Sequence, residues 1–91
     1  MHLKAVAQTA RTYVADLFSD EGIINVGLEE IEFDEAQEKW IVTVGFSRPW
    51  DQKNRLTASL ELPERSYKVL HIADNDGRVL SLKDRLLSNR N

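Results

Sequence analysis

The stretch Lys39–Ser47, K-W-I-V-T-V-G-F-S, constrains the fold more than any other part of the chain. Trp40, Val42, Val44 and Phe46 fall on every second position, with Ile41, Thr43, Gly45 and Ser47 between them. Successive side chains of a strand point to opposite faces of a sheet, so a period of two separates a large apolar set from a small one. The first set predicts the core side of a central strand. The second predicts a flat, lightly furnished reverse face, where Gly45 lets a neighbouring backbone or ring come close.

The flanking segments supply the rest of an α+β domain. Leu3, Val6, Ala10, Val14 and Leu17 recur at steps of three and four, with Lys4, Gln8, Arg11, Thr12 and Asp16 on the other sides. This predicts an amphipathic helix over about 2–19, ended by Ser19-Asp20-Glu21-Gly22 with glycine free to take positive φ. From Val26 the parity breaks at Glu29-Glu30: Val26 and Leu28 share one phase, Ile31 and Phe33 the other. Either the strand begins after the break, or an extra residue there forms a bulge that returns the apolar residues to one face; the strand is expected over about 27–34. Asp34 to Glu38 turns the chain into the strand at 39–48, which Arg48-Pro49 closes because proline offers no ladder donor. Residues 50–64 read as a loop and a short edge segment, Leu56 to Leu62. Strands at 66–73 and 78–84 flank the hairpin turn Asp74-Asn75-Asp76-Gly77. In the last strand Leu80 and Leu82 share one phase, Val79 and Ser81 the other, and 85–91 is a polar tail. The expected fold is one domain, 1–91: an N-terminal helix across a four-stranded antiparallel meander.

Composition narrows the functions open to such a domain. With 91 residues it has room for one modest core. The formal charge of −3 and the scattered Lys and Arg lack the basic footprint of a nucleic-acid binder. The acidic run Glu29, Glu30, Glu32, Asp34, Glu35, Glu38 reads as a solvated strand edge and turn. No stretch is long and apolar enough for a membrane span. Met1 to Phe18 has no apolar h-region, and the chain has no cysteine. The expectation is therefore a cytoplasmic protein without disulfides or thiolate metal sites.

The candidate chemical groups do not assemble into a catalytic motif. Asp74, Asp76 and Gly77 resemble the start of a calcium loop, but the twelfth position is Arg85, where a bidentate acid is needed. His2 lies at the chain start and His71 is mid-strand, with no convergent metal or base partners at useful spacing. Ser59, Ser66 and Ser81 have no identifiable base, and Glu30 and Glu32 share an exposed strand face. No cofactor, metal site or catalytic residue is expected. Trp40 is assigned to the core beneath the helix. Trp50 is either a lid over the core's end or an exposed contact residue.

The run Tyr67-Lys68-Val69-Leu70-His71-Ile72-Ala73-Asp74-Asn75-Asp76-Gly77-Arg78-Val79-Leu80-Ser81 resembles the closing hairpin of PepSY-type domains. There a Tyr-Lys-Val-like strand, an acidic turn ending in glycine and a Val-Leu-Ser-like strand follow one another. Trp40 to Phe46 is similar to the middle strand of that small cystatin-like architecture. The resemblance covers about Ile23 to Arg85 and implies a fold, a noncatalytic accessory or peptidase-restraining role and an extracytoplasmic setting, with no catalytic residues to transfer.

One further pattern bears on function. Both phases of the later strands carry apolar residues, yet one helix covers only one face. Either the Leu56–Leu62 segment folds over part of the second face, or that face meets a protein partner, most simply a second copy. The reading is a noncatalytic interaction or regulatory module, with Ile41, Thr43, Gly45, Trp50, Val69 and His71 as contact residues. The alternative is a small-ligand domain or divergent enzyme with a pocket between helix and sheet, near Trp40 and Phe46.

Overall fold

The computed structural model of the chain describes residues 1–49 and 65–85. The readings of Trp50, of the Leu56–Leu62 segment and of the tail beyond Arg85 lie outside the described residues. Helix α1 (Leu3–Leu17) is followed by a short 3-10 turn, Ser19–Glu21, and four strands: β1 (Ile24–Asp34), β2 (Lys39–Ser47), β3 (Ser66–Ala73) and β4 (Val79–Asp84). The strands form one antiparallel sheet in the order β1-β2-β3-β4, and α1 packs on β1 and β2. The expected helix-on-meander fold is the observed one.

Core formation follows the predicted phases. Val42, Val44 and Phe46 of β2 join Leu70 and Ile72 of β3 and Val6, Ala10 and Val14 of α1 in one cluster, all at 0% exposure. Ala7 and Ala10 put little bulk between helix and sheet, which lets the backbones approach. The outer members of the helical stripe overhang this contact: Leu3 and Leu17 are 53% and 54% exposed. The apolar stripe is thus longer than the surface that covers it. Gly22 ends the helical region with φ 63°, the left-handed conformation expected of it.

In β1 the parity break is a bulge. Leu28 pairs with Val44 and Glu30 with Thr43, so Glu29 is the extra residue. Ile31 and Phe33 thereby return to the helix side, opposite Val42 and Trp40. The strand starts at Ile24, three positions before the expected 27, because a second irregularity extends it. Asn25 and Val26 together face one residue of β2, and Asn25 takes φ 58°, a conformation that asparagine tolerates. A bulge also corrects the reading of β4. His71 pairs with Ser81 but Ile72 pairs with Val79, which leaves Leu80 unpaired and 47% exposed. Val79 and Leu82 pack against the core instead.

Trp40 stands at the margin of the core rather than within it. Its indole is half-buried on the Phe33 ring, centroids 4.8 Å apart, and its Nε1–H donates to Asp74 Oδ1 at 2.9 Å. An indole N–H needs an acceptor, and the β3–β4 turn supplies one. The N-terminal ammonium also meets Asp74 Oδ1, at 3.2 Å. At the other end Phe18 lies 5.2 Å from Phe46, with the Arg48 guanidinium 5.0 Å above the Phe46 ring and hydrogen-bonded to Glu21 and Ser66.

Candidate functional site

The face of the sheet opposite α1 is a grid set by strand register. One row reads Glu32, Ile41, His71, Ser81 from β1 to β4, and the next reads Glu30, Thr43, Val69, Lys83. A third reads Gly27, Gly45, Tyr67, and Arg85 extends it through a backbone bond from its N–H to the Tyr67 carbonyl, 3.0 Å. Five of the six contact residues expected from sequence, Ile41, Thr43, Gly45, Val69 and His71, are therefore neighbours on one surface. Trp50 lies outside the described residues.

The columns of this grid differ in size and charge. The β2 column narrows from Ile41 to Thr43, Gly45 and Ser47, while the β3 column carries the larger Tyr67, Val69 and His71. Glu30, Glu32 and Asp34 line the β1 side, and Lys83 and Arg85 line the β4 side. The surface has a mixed middle, with Ile41, Tyr67 and Val69 partly exposed, between an acidic border and a basic one.

Two ion pairs cross the small residues of β2. Arg65 Nη2 bonds the Asn25 carbonyl and Glu29 Oε2, both at 3.1 Å, spanning β2 to reach β1. Its path passes over Gly45: a Cβ there would stand 2.8 Å from both Arg65 Nη2 and Glu29 Oε2 and 3.0 Å from the Tyr67 ring. Arg85 reaches from the β4 border to Glu30 Oε1 at 3.7 Å. Thr43 and Ser47, although on this face, are each only 4% exposed. Gly45 is thus where a side chain and a ring come close, as its position in the alternation predicted, and those groups belong to the same chain.

Sequence reasoning passed over Glu29, Glu30, Arg65, Tyr67, Lys83 and Arg85 as contributors to this face. Their signal is available only in register. The acidic run and the scattered bases look like ordinary solvated charge until the meander places them on opposite borders of one surface.

The electrostatics around His71 disfavour its charged form. Partial burial lowers its pKa, and Lys39 and Lys83 lower it further against the opposing pull of Asp34. A small cleft of about 70 Å³ between the β1 and β2 columns is lined by Glu30, Glu32, Ile41 and Thr43. Among the described residues no group of three or more His, Asp or Glu is placed to hold a metal ion. A larger cleft, about 370 Å³, lies along α1 and is lined by Gln8, Thr9, Thr12, Tyr13 and Asp16. Neither cleft lies between helix and sheet, where the fully buried core side chains meet.

No family model, curated protein or solved structure matches the chain. Among the described residues no helix is long and apolar enough to cross a membrane.

Proposed function

We propose that the chain is a noncatalytic protein-interaction module that works through the sheet face opposite α1. One observation carries the reading: Ile41, Tyr67 and Val69 are partly exposed in the middle of a face bordered by acidic β1 and basic β4. Interfaces that associate reversibly have this anatomy, an apolar centre inside a charged rim. The mixed borders favour a protein over a nucleic acid, whose binding would call for one basic field. Among the described residues the side chains beneath α1 are packed to 0% exposure, which speaks against the alternative of a ligand pocket there. The proposal includes a cytoplasmic setting, which a cysteine-free sequence suits. Kinship with PepSY-type, cystatin-like domains stays part of the same proposal, supported by the helix-on-meander order and the Tyr67–Ser81 hairpin.

A photoreactive residue tests this reading in the native cell. Placed at Val69 or Ile41, it should give a discrete cross-linked protein species that the same residue at Gln8, on α1, does not give. Equal cross-linking at Gln8, or none from the sheet face, would overturn the proposal.

A further inference from the structure

Resting on the reading above, the geometry points to a second copy of this chain as the occupant of the sheet face opposite α1. We infer that the two sheets stack about a two-fold axis parallel to the strands, running between β2 and β3.

The grid is self-complementary under that operation and not under the others. An axis along the strands exchanges left and right borders while keeping each row at its own level. Glu30, which within one chain lies 3.7 Å from Arg85, then stands over the partner's Lys83, because both belong to the row Glu30, Thr43, Val69, Lys83. The small β2 column falls on the large β3 column: Ile41 lies over the partner's His71, and Val69 lies over the partner's Thr43, whose own side chain is only 4% exposed. Every such pairing occurs twice, as an isologous interface requires. Aligned sheets pack about 10 Å apart with strand directions about 30° off parallel, so the match holds best at this central row.

The competing arrangements are penalised by the same residues. An axis across the strands lays the acidic border on itself, with Glu30 facing the partner's Glu32. Pairing β1 edge to edge juxtaposes two acidic strands, each with bulges at Asn25–Val26 and Glu29 that spoil a continuous ladder. Pairing β4 edges brings together Lys83 and Arg85 of both copies at a strand interrupted at Leu80.

Area sets the strength. Four strands spaced about 4.8 Å, each rising about 3.3 Å per residue, give a footprint of roughly 19 by 30 Å, hence roughly 1,100 Å² over both copies. This sits near the lower limit for a specific interface, which makes the dimer a reversible, concentration-dependent one.

Sedimentation equilibrium on two charge-reversed variants tests the arrangement. Glu30→Lys alone sets lysine against the partner's Lys83, and Lys83→Glu alone sets glutamate against the partner's Glu30, twice in each dimer. Each variant alone should dimerise at least ~10-fold more weakly than wild type, in line with the cost of like charges across an interface. An equimolar mixture should recover wild-type affinity within about threefold, because both cross-pairs are then lysine–glutamate. Circular dichroism checks that each variant is folded. Wild type alone gives a readout independent of either variant: dimerisation should weaken from about 0.05 to about 0.5 M salt as screening shortens. A mixture no stronger than its components, dimerisation insensitive to salt, or a monomer at about 1 mM, a concentration at which even the weakest specific contacts associate, would overturn the inference. Cross-links from Val69 to a different protein, with a monomer in sedimentation, would sink the second copy while leaving the interaction reading standing.

Discussion

Val44 and Val69 are a matched pair for testing which face of the sheet is the core. Val44 of β2 is 0% exposed, whereas Val69 of the neighbouring β3 is half-buried on the opposite face. Val44→Ala removes two buried methylene equivalents, about 1.6 kcal/mol of transfer free energy. Val44 is held between β1 and β3, paired with Leu28 and Lys68, so the strands cannot close on the gap. A residual cavity of about 50 Å³ adds about 1.2 kcal/mol. The sum, about 2.8 kcal/mol, is a large part of the roughly 5–14 kcal/mol expected for a chain of this length. It should lower Tm by about 11–22 °C. Val69→Ala leaves no closed cavity and loses only part of its transfer term, so it should cost less than about 1 kcal/mol. The strand-propensity cost of valine to alanine is shared by both changes and cancels in the comparison. Urea unfolding followed by circular dichroism, at low protein concentration where association contributes nothing, reads both values. A Val69→Ala cost equal to or above that of Val44→Ala would refute the assignment of faces.

Three further outcomes follow from the same structure. Gly45→Val should displace the Arg65–Glu29 pair and the Tyr67 ring and cost about 1–3 kcal/mol, as overpacking does, whereas Arg65→Ala should cost less than about 1 kcal/mol, as expected of an exposed ion pair; urea midpoints check both. The Trp40 indole N–H, and then the N-terminal ammonium, hold the Asp74 carboxyl below its ordinary range. Because the folded pKa is depressed, this contribution is complete above the unfolded carboxylate pKa near 4 and is lost as pH falls through the folded value. Acid titration of Tm should therefore show Asp74→Asn and wild type converging at low pH. His71 has a folded pKa below its ordinary value, chiefly through burial and then through Lys39 and Lys83. Its neutral form suits the fold, so stability should decline as pH falls through and below about 6.5, and His71→Gln should flatten that part of the profile.

Much of this architecture is legible in local patterns because each of those patterns has one physical solution. Alternation in Lys39–Ser47 specified which side of β2 is core, and the Asp74–Gly77 turn specified the β3–β4 hairpin. The departures lie where a strand holds an odd residue. A bulge shifts phase without altering composition, so Leu80 looked like a partner of Leu82 until the pairing of Ile72 with Val79 separated them. Phase alone places Trp40 on the core side, whereas its indole N–H needs an acceptor and meets Asp74 at the core's margin. On the candidate face, Ile41, Thr43, Gly45, Val69 and His71 could be grouped from phase. The borders could not, because Glu30 and Lys83 are far apart in sequence and share a row only through three strand registers. The crossing of Gly45 by Arg65 was hidden for the same reason: a glycine announces room for a close approach without naming what approaches.

The most direct measurement is a dilution series of methyl and amide NMR spectra on the intact wild-type chain. The account predicts concentration-dependent shifts at Ile41, Thr43, Val69 and Lys83, with α1 positions such as Gln8 and Thr12 unmoved. Shifts centred on α1 or on the outer edge of β1, with the Ile41 and Val69 methyls constant, would contradict it.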